Sequence, residues 1–83
     1  MEKAIFTAEH QRLCQQLRDL RLGSNLRQVD LARRLGVNQT FVSKYERGER
    51  RLDLIELRQV CDALGTDLVA FVKAFEKANQ THT

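Results

Sequence analysis

Apolar side chains recur along this chain at three- and four-residue intervals, the spacing of one face of an α-helix. His10, Leu13, Cys14, Leu17 and Leu20 form the first such stripe. Thr7 precedes it as an N-cap and Glu9 places negative charge in its first turn. Gly23 offers a stop, with Asn25 as a left-handed turn residue before Leu26. A second, short helix runs from about Gln28 to Leu35 with Leu31, Ala32 and Leu35 inward, and Gly36 ends it. After Val37, Asn38 caps a third helix from Gln39 to about Arg47, closed by Gly48. Asp53 caps a fourth, with Leu54, Leu57, Cys61 and Leu64 as its stripe and Gly65 as its stop. Thr66 or Asp67 opens a fifth, with Leu68, Phe71, Val72 and Phe75 in line. Residues 79–83 read as a polar, frayed tail. The pattern predicts an all-α chain of five helices in a single domain over 1–83, ordered from about 7 to 78.

Composition supports that reading. The chain has 83 residues, no proline, no tryptophan and four glycines, a mix that favours helix over sheet. No apolar run reaches the length of a membrane span, and the first six residues lack a signal-peptide core, so the expectation is a cytoplasmic protein. Cys14 and Cys61 lie far apart on apolar stripes, without a Cys-x-x-Cys pair or a histidine at ligand spacing, and read as buried reduced thiols. No metal site and no cofactor is expected.

Charge adds a direction. Residues 26–52 carry seven basic groups (Arg27, Arg33, Arg34, Lys44, Arg47, Arg50, Arg51) against three acidic ones (Asp30, Glu46, Glu49). Residues 53–83 carry three against five. Basic charge gathered in the middle third suits a polyanion. A membrane surface fits poorly, because that third lacks a long apolar face with bulky anchors.

The second and third helices are the crux. Two short helices joined through Gly36-Val37-Asn38 make a helix-turn-helix arrangement. Ala32 keeps the two helices close, Gly36 takes the positive φ of a sharp turn, and Val37 and Val42 fill the angle. Along the third helix Val42, Tyr45 and Glu46 point one way, and Thr40, Ser43, Lys44 and Arg47 the other, with Gln39 exposed at its start. The outward set is rich in groups that read base edges and phosphates. Glu46 lies one turn beyond Val42 on the inward face, and Arg21 one turn beyond Leu17. An unpaired charge at either place is costly, so the economical expectation is a structural ion pair between them. No acid, histidine or metal site accompanies Glu46, and nothing in the sequence supplies a nucleophile with a base or a phosphate-cradling glycine loop. An enzyme is not expected.

The stretch from Leu17 to Leu54, and most densely Gln39 to Asp53, resembles the lambda-repressor/Cro-like (XRE) DNA-binding domains, with the likeness reaching over roughly residues 10–75. The resemblance implies a five-helix domain with its helix-turn-helix at about 28–47, binding operator DNA as a homodimer with the third helix in the major groove. By position it places Gln39, Thr40, Ser43 and Lys44 where bases are read. Gln28 falls where a phosphate is contacted and the recognition glutamine braced. Arg47, Arg50 and Arg51 fall in the loop that grips the backbone, and Asn38 sits with the backbone contacts. Arg21 and Glu46 match the family's interhelical ion pair. Phe41 either touches a thymine methyl or covers the turn. Arg27 departs from the family's Ser or Thr cap: an arginine accepts nothing from the orphan amides, so the second helix is expected to start less firmly, with Arg27 free for a phosphate.

The resulting expectation is a small transcriptional regulator, a repressor of prokaryotic or phage origin acting on a pseudo-palindromic operator. Leu68, Phe71, Val72 and Phe75 are its expected dimer interface. The rival reading is a protein-interaction module of the same fold, an antitoxin for example, whose partner is another protein.

Overall fold

The computed structural model describes residues 7–80. Among them lie five α-helices: α1 (Ala8–Gly23), α2 (Gln28–Leu35), α3 (Gln39–Glu46), α4 (Leu54–Ala63) and α5 (Leu68–Gln80). The described residues are all-α, as the periodicity predicts, and no described helix is long and apolar enough to cross a membrane.

The caps fix the boundaries. The Thr7 hydroxyl accepts from the His10 amide at 3.1 Å, the Asn38 side chain from Phe41, and the Asp53 carboxylate from Glu56. Asp67, rather than Thr66, opens α5, taking the Ala70 amide at 2.8 Å. Gly23 is not the stop of α1. It is the last helical residue, and the chain leaves through Ser24 and the left-handed Asn25 (φ 57°), with the Leu26 amide returning to the Arg21 carbonyl at 3.2 Å. Gly36 adopts φ 72°, and its left-handed turn sends the chain from α2 into α3.

Leu17, Leu31, Ala32, Val42, Tyr45, Val60, Cys61, Leu64 and Phe71 form the core. Leu31 and Val42 are wholly buried, so α2 and α3 close on each other across Ala32 as a small residue there allows. The stripe of α4 is shifted from the expected one. It runs Leu57, Val60, Cys61 and Leu64, whereas Leu54, in the first turn beyond the Asp53 cap, overshoots the core and is 65% exposed. At the other end, α5 outlasts the expected boundary. Arg12 on α1 donates to Asn79 at 2.6 Å, which ties down the last turn. Residues 81–83 and the first six residues lie outside the described range.

Candidate nucleic-acid interface

Gln28 opens α2 and Gln39 opens α3, so the turn that folds one helix onto the other brings both glutamines to the same edge. The Gln39 amide donates to the Gln28 carbonyl oxygen at 2.6 Å, and the Gln28 amide donates to Glu46 at 3.0 Å. Glu46 in turn accepts two bonds from Arg21, at 2.7 and 3.0 Å. The remaining terminal nitrogen of Arg21 donates to the Leu26 carbonyl at 2.8 Å. A hydrogen-bonded line therefore runs from a buried arginine on α1 to an exposed glutamine at the start of α3. The Arg21 and Glu46 side chains are 8% and 3% exposed, so this pair is the one the solvent cannot easily replace. The carboxylate holds the Arg21 guanidinium above its usual range.

Thr40, Lys44 and Arg47 are exposed along α3, and Ser43 is half-buried between them. Arg47 and Arg50 are engaged. Arg47 clasps Glu49 at 2.7 and 3.3 Å and also donates to the Ser43 hydroxyl at 2.7 Å. Arg50 lies 4.5 Å above the Phe41 ring while its guanidinium holds Glu56 at 2.8 and 3.2 Å. Phe41 meets Tyr45 edge-on, at 5.8 Å and 77°. Of the two roles that the sequence left open for Phe41, the structure supplies packing: the ring covers the α3 corner and carries Arg50. Arg51 is exposed; burial, and after it the charge of Arg51, lowers the His10 pKa.

Arg27 corrects an expectation. Its side chain caps nothing, since a guanidinium holds only donors, but α2 does not start loosely for that reason. Asp30 supplies the missing interaction, accepting the Arg27 backbone amide at 2.9 Å and both arms of its guanidinium at 3.0 Å. This hydrogen bonding brings the Asp30 carboxyl down to about 2. Arg27 is thus held by Asp30, with its side chain still largely exposed.

The expected dimer face is only partly open. Phe71 is 3% exposed and belongs to the core of its own chain, where its ring closes α5 onto the other helices. Leu68 and Phe75 are half-buried, Val72 is exposed, and Val69, which the periodicity passed over, is 64% exposed. Reading by spacing also missed the carboxylate partners Asp30, Glu49 and Glu56. The first and last carry a visible signal, an acid three residues beyond a cap position; Glu49 carries none.

A model of the helix-turn-helix family matches residues 17–71, the region from the core of α1 to the first turn of α5. The chain belongs to the helix-turn-helix family, of the XRE type. Its fold and family are those of DNA-binding transcriptional regulators rather than of enzymes. An XRE-family like protein from Pseudomonas syringae pv. tomato is 42% identical, with a TM-score of 0.83, over 92% of this chain and 93% of that one. A variant of the restriction-modification controller protein C.Esp1396I is 25% identical, with a TM-score of 0.82, over 93% of this chain and 98% of that one. The same controller protein is also known as a tetramer in complex with its natural 35 base-pair operator, and this likeness, at 24% identity, is one of fold. An uncharacterized transcriptional regulator in the ATPase CF(0) region of Rhodospirillum rubrum is 34% identical over 68 residues. The helix-turn-helix chain spans 63% of that relative's length, and 82% of its own residues are aligned.

Proposed function

We propose that this helix-turn-helix protein is a sequence-specific transcriptional repressor that binds a pseudo-palindromic operator as a homodimer, with α3 in the major groove of each half-site. The observation that carries this reading is the line Arg21–Glu46–Gln28–Gln39, which fixes the amide at the exposed start of α3 from a buried anchor. With one N–H given to Gln28, Gln39 keeps a second N–H and its carbonyl oxygen, the pair that matches N7 and N6 of adenine. Thr40, Ser43 and Lys44 follow on the same helix, and Lys44 can donate to guanine O6 or N7. Gln28, Arg27, Asn38, Arg47, Arg50 and Arg51 flank this row as backbone contacts, and phosphate contacts would make affinity fall steeply with salt.

On this reading a two-fold axis would set the third helices of two copies about 34 Å apart, one turn of B-DNA. Val72 and Phe75, with Leu68 and the exposed Val69, are the face proposed to meet the second copy. Residues 1–83 act here as one domain, and repression requires of it only occupancy of the operator. Such a repressor works in the cytoplasm of a bacterium or of a phage host.

Selection of bound sequences from a random duplex pool at about 0.15 M salt, where nonspecific binding is weak, tests this reading. Recovery of an inverted repeat supports it. Recovery of nothing by folded protein overturns it in favour of a protein-interaction module, whose partner would then co-purify.

A further inference from the structure

Three arginines of the DNA-facing surface hold carboxylates, but not with equal firmness. The Arg50–Glu56 pair is 40% and 26% exposed, and Arg50 is also fixed over the Phe41 ring. Arg27 and Asp30 share three hydrogen bonds at the start of α2, one of them through backbone, so the acid is tied to the helix end itself. Glu49 differs. It sits in the loop after α3, has Arg47 as its side-chain partner, and the pair is 55% exposed on both sides. An ion pair so exposed is weak and readily exchanged.

The same guanidinium donates to Ser43, one of the residues proposed to read bases. While Arg47 holds both, its charge is neutralised and one acceptor position of the Ser43 hydroxyl is filled. The two non-bridging oxygens of a phosphate offer Arg47 the same two-pronged geometry as the Glu49 carboxylate. A phosphate that took Arg47 from Glu49 would leave that carboxylate unpaired beside a polyanion, while the remaining arm of Arg47 stays on Ser43.

We infer that Glu49 is an internal phosphate mimic, which occupies Arg47 in the free protein and must be displaced by the DNA backbone before Arg47 can engage it. This inference rests on the proposed function, and its effect is to lower affinity for DNA at large. Binding to a random-sequence duplex needs little else from the surface, so the cost of displacing Glu49 falls on nonspecific binding in full. At an operator the seated helix brings its phosphate to Arg47 together with the base contacts.

The test is binding to a fixed random-sequence duplex across a salt series, comparing wild type, Glu49→Gln, Arg47→Ala and the double variant. Asp62→Asn, on the exposed surface of α4, controls for the change in net charge. Glu49→Gln is expected to bind about threefold to fivefold more tightly, because no exposed ion pair then has to be broken before Arg47 meets a phosphate. The gain should vanish in the Arg47→Ala background. A gain no larger than that of Asp62→Asn, or one that persists without Arg47, overturns the inference and leaves only charge repulsion. Wild-type protein that binds no duplex even at about 0.05 M salt overturns the proposed function itself, and is distinguishable because all variants then fail alike.

Discussion

Gln28 holds Gln39 by a 2.6 Å hydrogen bond while giving its own amide to Glu46. A surface glutamine has several free torsions and pays entropy to be fixed at a base edge. Here that ordering is built in before DNA arrives, since the line ends on a buried ion pair. The relationship separates two roles: Gln39 is the proposed reader and Gln28 its positioner. Gln28→Ala should therefore weaken operator binding while keeping the same base preference, with unfolding by urea almost unchanged. A circular-dichroism melt beside an operator titration checks both halves. An unaltered operator affinity would remove Gln28 from the positioning role.

The Arg21–Glu46 pair is expected to matter for stability more than any other ion pair described. Arg21→Ala leaves the Glu46 carboxylate buried with Gln28 as its one remaining side-chain partner, and should cost about 3–5 kcal/mol. Replacing both, as Arg21→Met with Glu46→Leu, should recover most of the loss in urea unfolding, because removing two charges restores an apolar interface. Operator binding should not recover, since Gln28 then loses its anchor. Equal instability of the single and double variants would contradict the account.

Acid should reach the start of α2 late. Asp30 titrates at about 2 in the folded chain against a reference of 3.8, so its folded pKa is depressed. A depressed carboxylate contributes stability that is fully present above its unfolded value and is lost as pH falls through the folded one. The window for Asp30 thus lies between about 4 and 2, and the Arg27–Asp30 contacts should persist throughout the neutral range. Following the Asp30 side-chain carbon by NMR against pH tests this; a midpoint near 3.8 would show that the clasp does not form in solution.

Two neighbouring phenylalanines of α5 should respond in opposite ways. Phe75→Asp should give a folded monomer that binds DNA weakly, visible in analytical ultracentrifugation as a halved mass. Phe71→Ala should instead destabilise the chain by about 3–5 kcal/mol, because that ring is in the core. A dimer that survives Phe75→Asp would place the interface elsewhere.

Much of this was legible in the chain. Period and caps were enough for the helices: Thr7, Asn38 and Asp53 sit where their side chains accept orphan amides, and Gly36 turns where only a left-handed residue fits. The inward placement of Arg21 and Glu46 was readable because two lone charges on apolar faces demand each other. Other features were set by tertiary packing, which spacing does not record. Leu54 continues a perfect stripe yet overshoots the core, and Phe71 and Phe75 share one stripe although only the first is buried. The engagement of Arg47 by Glu49 depends on how the loop after α3 turns, and a two-residue separation carries no sign of it.

The most direct test of the central claim compares wild type and Gln39→Ala on a selected operator and on its single base-pair substitutions. The account predicts that wild type prefers one base pair at a position in each half-site, related by the dyad. Gln39→Ala should flatten that preference by ~1–3 kcal/mol and leave the other positions as they were. A variant that loses affinity equally at every position, or that changes nothing, would contradict a reading helix whose first residue is held in place to recognise a base.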